Sequence, residues 1–146
     1  MLRYVDTSAL ARCYFADEAD HEELRTLLLE GTDPVVTSEL TRMELVSAVH
    51  VAHRAGRLPD PAALLAVVDL DSGEDGPVAL LRMQPDVVFP LAAALVAQHP
   101  LRTLDALHLA VAHSAATDLA AGEPLVFVTR DQRQAAAAAA TGLPVE

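Results

Sequence analysis

The sequence predicts an α/β fold in three layers, with a central, mostly parallel sheet of four or five strands between two layers of helices. Short, continuous apolar runs such as "LRYV" and "LVFVT" alternate along the chain with longer segments of helical periodicity. Strands of a parallel sheet have this continuous apolar character because helices cover both of their faces. The 146 residues show no linker, charge block or internal repeat, which predicts one domain over residues 1–146.

The first half of the chain begins with the strand "LRYV" and a helix in "DTSALARCYF", with Thr7 or Ser8 as its expected N-cap. The amphipathic run "ADHEELRTLLLEG" predicts a second helix, which ends at Gly31. "PVVT" predicts the second strand. Ser38 then caps the long helix "ELTRMELVSAVHVAHRAG", which closes at Gly56.

The second half continues the alternation with the helix "DPAALLAVVDL", which Asp60 and Pro61 open, and the strand "VALLRM". "PDVVFPLAAALVAQH" predicts a helix from Asp86, although Pro90 conflicts with its first turn. The almost wholly apolar "TLDALHLAVAHSAA" predicts a buried helix capped by Thr103. "LVFVT" is the fourth strand, "DQRQAAAAAAT" the last helix, and "LPVE" a candidate fifth strand.

Composition excludes several classes of function. The formal charge of −11 argues against non-specific electrostatic binding of nucleic acid over the whole surface. All ten basic residues are arginines, which excludes P-loop and receiver-type phosphate sites because both need a lysine. No apolar stretch reaches the ~18 residues of a membrane span, and no secretory signal is expected. The single Cys13 is expected to be a buried hydrophobic residue in a reducing, cytoplasmic compartment.

Two aspartates follow strands of the predicted sheet. Asp6 comes directly after the first strand, and Asp131 lies just past the fourth. In an open parallel sheet, ligands bind outside the carboxyl ends of the strands. Each aspartate taken alone is better explained as the cap of the next helix.

Two further acids lie inside apolar helix faces. At about 100° per residue, Glu44 shares its side of the helix with apolar residues; these are Leu40, Ala48, Val51 and Ala52. A buried, unpaired carboxylate is unfavourable, so Glu44 needs a cation, a raised pKa or a partner such as an arginine, unless it has an edge position that reaches water. Asp105 lies in the first turn of a nearly all-apolar helix, where the helix dipole also favours an acid.

Four carboxylates that converge on one crevice would repel each other strongly. Hard divalent cations such as Mg²⁺ or Mn²⁺ relieve this repulsion because they take oxygen ligands and keep several waters. The absence of paired cysteines or a histidine cluster argues against a structural zinc site.

Four stretches carry a family resemblance: "YVDTSAL", "SELTRMELVSAV", "LRTLDALHLAVA" and "VFVTRDQR…AAAATGLPV". In this order, and over essentially the whole chain, they resemble the PIN-domain ribonucleases, specifically the VapC toxins of type II toxin–antitoxin systems. The resemblance implies a PIN-like fold and metal-dependent hydrolysis of RNA. The acids matching the family's Mg²⁺ or Mn²⁺ site are Asp6, Glu44, Asp105 and Asp131. The matching hydroxyls, which help to orient that site, are Thr7 or Ser8 and Thr129.

The resemblance also implies partners: an RNA substrate, a cognate VapB-type antitoxin and a second copy of the chain. The apolar helices at 8–16 and 38–56 are candidate surfaces for the homodimer. Either Asp131 or Glu44 is a candidate general base for the attacking water.

Arginines stand beside the acids in sequence and could position RNA phosphates or pair with nearby carboxylates; they are Arg42, Arg102, Arg130 and Arg133. His108, one turn after Asp105, is better explained as a hydrogen-bonded core histidine than as a catalytic residue.

Three other functions compete with this interpretation. A non-catalytic PIN-like module that only binds a partner would lose one or more of the acids, and all four are present. A haloacid-dehalogenase-like phosphatase also has an aspartate after its first strand, but it needs a second acid where Ser8 stands, and a lysine. A dinucleotide-binding domain would need a glycine-rich first turn, which "DTSAL" lacks.

Overall fold

The computed structural model describes all 146 residues and contains one four-stranded sheet. All its pairings are parallel, in the order β3–β2–β1–β4. The strands are β1 (Leu2–Val5), β2 (Val35–Ser38), β3 (Val78–Leu81) and β4 (Leu125–Val128). The predicted α/β class and parallel sheet are confirmed.

The candidate fifth strand in "LPVE" is only a single parallel bridge between Val145 and Phe127. Its backbone does follow β4, since Phe127 N–H donates to the Pro144 carbonyl and Glu146 N–H to the Phe127 carbonyl. Pro144 has no N–H to donate, so the pairing cannot extend toward the preceding residues.

Eight helices cover the two faces of the sheet in two layers. They are α1 (Thr7–Arg12), α2 (His21–Leu28), α3 (Glu39–Arg54), α4 (Pro61–Asp71), α5 (Pro85–Gln98), α6 (Thr103–Val111), α7 (Thr117–Ala120) and α8 (Gln132–Ala140). The helix predicted from residue 103 continues beyond Val111 through a π-helical turn, Ala112–Ala116, into α7. Helix α1 is shorter than predicted and ends at Arg12.

Two of the predicted helix caps are confirmed and two are wrong. Ser38 accepts from Leu40 N–H at the start of α3, and Asp60 caps α4. At α1, however, Asp6 rather than Thr7 or Ser8 is the N-cap residue. At α6 the expected cap Thr103 is already the first helical residue, and no side chain caps the helix.

Strand β1 is central and has β2 on one side and β4 on the other. The chain moves outward from β1 to β2 and β3 and then returns to the opposite side of β1. The carboxyl ends of β1 and β4 therefore form the switch point at which open parallel sheets bind ligands. Tyr4 of β1 stacks on Phe127 of β4 with ring centroids 5.4 Å apart, which fixes the two strands beside each other on that face.

The core lies on both sides of the sheet. One apolar cluster joins β1 and β4 to α5, α6 and α8, and the other joins the strands to α1, α2, α3 and α4. This two-sided burial explains why the strands are continuous apolar runs. No helix has both the length and the apolar character that a membrane crossing requires.

Candidate active site

A cleft of about 610 Å³ opens at the carboxyl end of the sheet. Its walls come from the β1–α1 junction, α3, the start of α6 and the loop that leads into α8. All four acids singled out from the sequence line this one cleft, and they are Asp6, Glu44, Asp105 and Asp131. The fold therefore brings together residues that lie as much as 125 positions apart in the chain.

Asp6 is the most deeply placed of the four, with only 3% of its surface exposed. Its backbone N–H donates to the Val128 carbonyl at 3.0 Å, so it continues the pairing of β1 with β4. Its Oδ1 accepts from Ala9 N–H at 3.0 Å and from the Ser8 hydroxyl at 2.9 Å. Burial raises the pKa of Asp6 above its ordinary value, and these hydrogen bonds only partly offset that effect.

Glu44 reaches the cleft from α3, and its side chain is 26% exposed. The predicted buried face of this helix is only partly correct, because Ala52 is buried but Val51 is 53% exposed. The residues of α3 that face the core are Thr41, Leu45, Val49 and Ala52. Glu44 occupies the edge of that face, which is one of the alternatives that the sequence left open.

The Glu44 carboxylate is held by donors from two other helices. Its Oε1 accepts from the Thr7 hydroxyl at 2.8 Å and lies 2.5 Å from His108 Nε2. Partial burial acts to raise the pKa of Glu44, but the hydrogen bond and charge of His108 outweigh it, and the pKa lies below its ordinary value.

Asp105 and Asp131 form the other side of the cleft. Asp105 lies in the first turn of α6, and burial, followed by the nearby charge of Asp131, raises its pKa. Asp131 is the N-cap of α8, where its Oδ1 accepts from Arg133 N–H and Gln134 N–H, both at 2.9 Å. The repulsion between two carboxylates is what a bound cation would relieve.

Each of the three predicted hydroxyls forms a hydrogen bond with one of the acids. Ser8 Oγ donates to Asp6 and accepts from Arg130 N–H at 2.9 Å, so it links the first acid to the loop after β4. In the same loop, Thr129 Oγ1 accepts from Asp131 N–H at 3.0 Å. Thr7 instead binds Glu44.

Three of the four acids share one feature of their hydrogen bonding. In Asp6, Glu44 and Asp131, both protein hydrogen bonds fall on the same carboxylate oxygen. The second oxygen of each carboxylate has no hydrogen-bond partner in the protein. One oxygen thus fixes the side chain, and the other remains available to a ligand in the cleft.

The donor set fits a hard divalent cation, since it offers carboxylate oxygens and no thiolate. No group of three or more Asp, Glu, His or Cys side chains lies close enough to hold one ion directly. Mg²⁺ usually binds through one or two carboxylates and keeps several waters, which is compatible with this spacing.

The four arginines near the acids in sequence lie in different environments. Arg102 lines the cleft and forms no ion pair. Arg42 pairs with Asp69 of α4, and Arg130 pairs with Asp20. Arg133 is exposed and does not line the cleft. The structure thus brings only one of the four into the cleft itself.

Two polar residues support the site in ways that the sequence did not reveal. His108 is a buried core histidine, as predicted, but its partner is Glu44. Gln134 is fully buried and joins the Thr129 hydroxyl (3.0 Å) to the backbone carbonyl of Asp105 (3.2 Å). His108 follows Asp105 by three residues, and Gln134 follows Asp131 by three. Side chains one helical turn apart share a helix face, so this spacing could have indicated that both residues lie beside the acids.

A family model of the PIN domain matches residues 3–140. The chain belongs to the PIN domain family. A curated relative, ribonuclease VapC35 of Mycobacterium tuberculosis, is 33% identical over 144 residues, which cover 97% of this chain and 93% of the relative. The resemblance to VapC-type PIN proteins that the sequence predicted is thereby confirmed.

Two solved structures share the fold of this PIN-domain chain. VapC20 of Mycobacterium tuberculosis, described as a sarcin–ricin loop cleaving toxin, superposes with a TM-score of 0.66 at 20% identity, covering 97% of this chain and 95% of that one. A toxin–antitoxin complex from Klebsiella pneumoniae gives a TM-score of 0.59 at 19% identity, covering 99% and 95%.

Proposed function

We propose that this PIN-domain chain is the toxin of a type II toxin–antitoxin system and an endoribonuclease that depends on Mg²⁺, with Mn²⁺ as a possible substitute. The observation that carries the proposal is the single cleft lined by all four acids, in which three carboxylates each keep one oxygen without a protein partner. The relationship to ribonuclease VapC35 supports the choice of RNA as the substrate.

The ligands of the ion would be drawn from the four cleft acids, Asp6, Glu44, Asp105 and Asp131. When bound, Mg²⁺ would lower the pKa of a water molecule and neutralise charge on the phosphodiester. Ser8 and Thr129 keep Asp6 and Asp131 in place through the hydrogen bonds described above. Positioned carboxylates of this kind avoid reorganisation at the moment of reaction.

Proton transfer from the attacking water requires a base within hydrogen-bonding reach of it. Glu44 is a poor choice, because His108 and Thr7 bind its carboxylate and its pKa is lowered. Of the two bases that the sequence suggested, we therefore favour Asp131. Its Oδ1 is engaged by backbone N–H groups, and its Oδ2 has no protein partner.

Arg102 is the arginine that we assign to the RNA backbone, because it lines the cleft and has no carboxylate partner in an ion pair. Its guanidinium can bind a phosphate through two parallel hydrogen bonds. The ion pairs of Arg42 and Arg130 hold those side chains on other carboxylates, and we give them structural roles.

The antitoxin partner is proposed from the similarity to a toxin–antitoxin complex. A VapB-type antitoxin would block the acidic cleft, and an arginine is the side chain best suited to reach its carboxylates. For a homodimer, α3 offers the exposed apolar residues Met43 and Val51. The other candidate surface, 8–16, is less suitable, since Leu10, Cys13 and Phe15 are buried in the core.

A second candidate function is a non-catalytic module that only binds a partner protein. The observation in its favour is that no three ligand side chains lie close enough to hold one ion directly. Such a module would have no need of metal, and neutral residues could replace its acids without loss of function.

The deciding experiment is RNA cleavage by the purified chain, followed by mapping of the new 5′ ends. Cleavage should stop in EDTA and return with Mg²⁺ or Mn²⁺, and Asp105→Ala should remove it. Asp118→Ala is the matched control, since Asp118 is an exposed aspartate outside the cleft. Cleavage that persists in EDTA or in Asp105→Ala contradicts the proposal.

A further inference from the structure

A buried polar chain runs behind the cleft, from β1 through α6 to α3. Tyr4 Oη lies 3.0 Å from His108 Nδ1, and His108 Nε2 lies 2.5 Å from Glu44 Oε1. Tyr4 has no exposed surface, and His108, which borders the cleft, has only 2%, so both side chains are almost completely enclosed by protein. Of the three residues, only Glu44 is exposed in the cleft, and His108 lies in the wall behind it.

The direction of these hydrogen bonds follows from the chemistry of the groups. An ionised carboxylate can only accept, so Nε2 of His108 must carry a hydrogen and donate it to Glu44. This holds for the neutral and for the cationic imidazole. In the neutral ring Nδ1 is left as an acceptor, and the Tyr4 hydroxyl is then its donor. Glu44 thus selects the tautomer, and the Tyr4 hydroxyl matches it by donating to the ring nitrogen that is left as an acceptor.

His108 and Thr7 together determine where the Glu44 carboxylate can lie. Both donate to Oε1, from α6 and α1 respectively, while Glu44 itself belongs to α3. The side chain is thereby fixed between three helices, and Oε2 is left without a protein partner. A leucine would fill the apolar surroundings of His108 without a buried polar group, so packing alone does not account for an imidazole at this position.

We propose that His108 is a positioning residue that holds the Glu44 carboxylate in the geometry needed for a divalent cation, and that Tyr4 supports it by fixing the imidazole ring. The inference rests on the proposed metal-dependent function. Partners that orient a ligating side chain typically change metal affinity by about 10–100-fold when they are removed. In this role His108 acts through Glu44, to which its Nε2 is hydrogen-bonded.

The test measures Mn²⁺ binding to the purified full chain by isothermal titration calorimetry, without RNA. His108→Leu should weaken binding by about 10–100-fold. His108→Gln places an amide N–H near the position of the imidazole Nε2–H and should stay within about threefold of wild type. Tyr4→Phe should have an intermediate effect. His113→Leu is the matched control, because His113 binds Thr141 and no cleft acid.

Equal Mn²⁺ affinity of wild type and His108→Leu overturns the inference and leaves the proposed function intact. A wild-type chain that binds no Mn²⁺ overturns both. If His108→Leu does not fold, His108→Gln decides, since a loss of tenfold or more in that variant also contradicts the inference. The ¹⁵N spectrum of the wild-type imidazole gives an independent measurement: hydrogen on Nε2 supports the proposal, and hydrogen on Nδ1 alone refutes it.

Discussion

Replacing Asp6 by asparagine separates the contribution of its charge from that of its shape. The asparagine would keep the N-cap of α1, because its Oδ1 can accept the same hydrogen bonds from Ala9 N–H and the Ser8 hydroxyl. Aspartate and asparagine are nearly equal as caps. The substitution therefore removes the negative charge, keeps the cap and replaces Oδ2 by an amide NH2 group.

Asp6→Asn should raise the free energy of unfolding while it abolishes cleavage. Burial raises the pKa of Asp6 even though its hydrogen bonds and the charge of His108 favour its ionised form, so the charge destabilises the fold at neutral pH. Replacing a residue that is needed for function but destabilises the fold commonly raises the free energy of unfolding by about 1 kcal/mol. For a chain of this size, that corresponds to a rise in Tm of roughly 2–4 °C.

The effect should depend on pH with a defined sign. Because the pKa is raised in the folded state, the destabilisation is complete above that pKa and disappears as the pH falls below the ordinary value of 3.8. The difference in Tm between Asp6→Asn and wild type should therefore shrink on acidification. Thermal unfolding in EDTA, followed by circular dichroism from pH 7 downward, measures it.

Asp33→Asn is the control with the opposite sign. The Arg3 side chain, only 8% exposed, donates to Asp33 and lowers its pKa, so the neutral amide should reduce stability. An Asp6→Asn variant that is no more stable than wild type at pH 7 in EDTA refutes the reasoning. With Mn²⁺, the Tm of wild type should rise and that of Asp6→Asn should not.

Three further perturbations test other parts of the site. Arg102→Ala should raise KM and reduce the salt dependence of RNA binding by about one phosphate contact. Arg54 is an exposed and unpaired arginine on α3, and Arg54→Ala should change neither quantity. Two arginines hold the pKa of Asp20 at about 2. The ionised Asp20 should therefore stabilise the fold above pH 3.8 and lose that effect as the pH falls toward 2. Asp20→Asn should accordingly lower Tm at pH 7 but not at pH 2. Gln134→Leu should lower the free energy of unfolding in urea by about 1–3 kcal/mol, because it removes the partner of two buried groups. Gln132 is exposed, and Gln132→Leu should leave that free energy nearly unchanged.

The sheet could be predicted from sequence because its signal is local. Strands β1 and β4 are buried on both faces, so "LRYV" and "LVFVT" appear as uninterrupted apolar runs whatever their neighbours are. The prediction of helix starts was less reliable where several capping residues are adjacent. In "DTS" all three side chains can cap, and Asp6 takes that role because it directly ends β1.

The convergence of the acids could not be predicted from local pattern. It depends on β4 pairing with β1, a contact between segments more than a hundred residues apart. Only that pairing places Asp131 near Asp6 at one end of the sheet. The expectation that the four acids form one site came instead from the family resemblance. The bond of His108 to Glu44 is also non-local, since it requires α6 and α3 to meet over the end of β1.

The choice between catalysis and mere partner binding can be argued from the way the acids are held. A helix cap needs one acceptor oxygen, and a neutral asparagine or serine supplies it. Asp6 and Asp131 each cap a helix with one oxygen, and each keeps a second oxygen that the fold does not use. At Asp6 the charge on that carboxylate is unfavourable to the fold, as the raised pKa shows. A buried charge that a neutral residue could replace with a gain in stability is expected where function requires it. The cleft therefore favours a cation-dependent reaction over a surface that only recognises another protein.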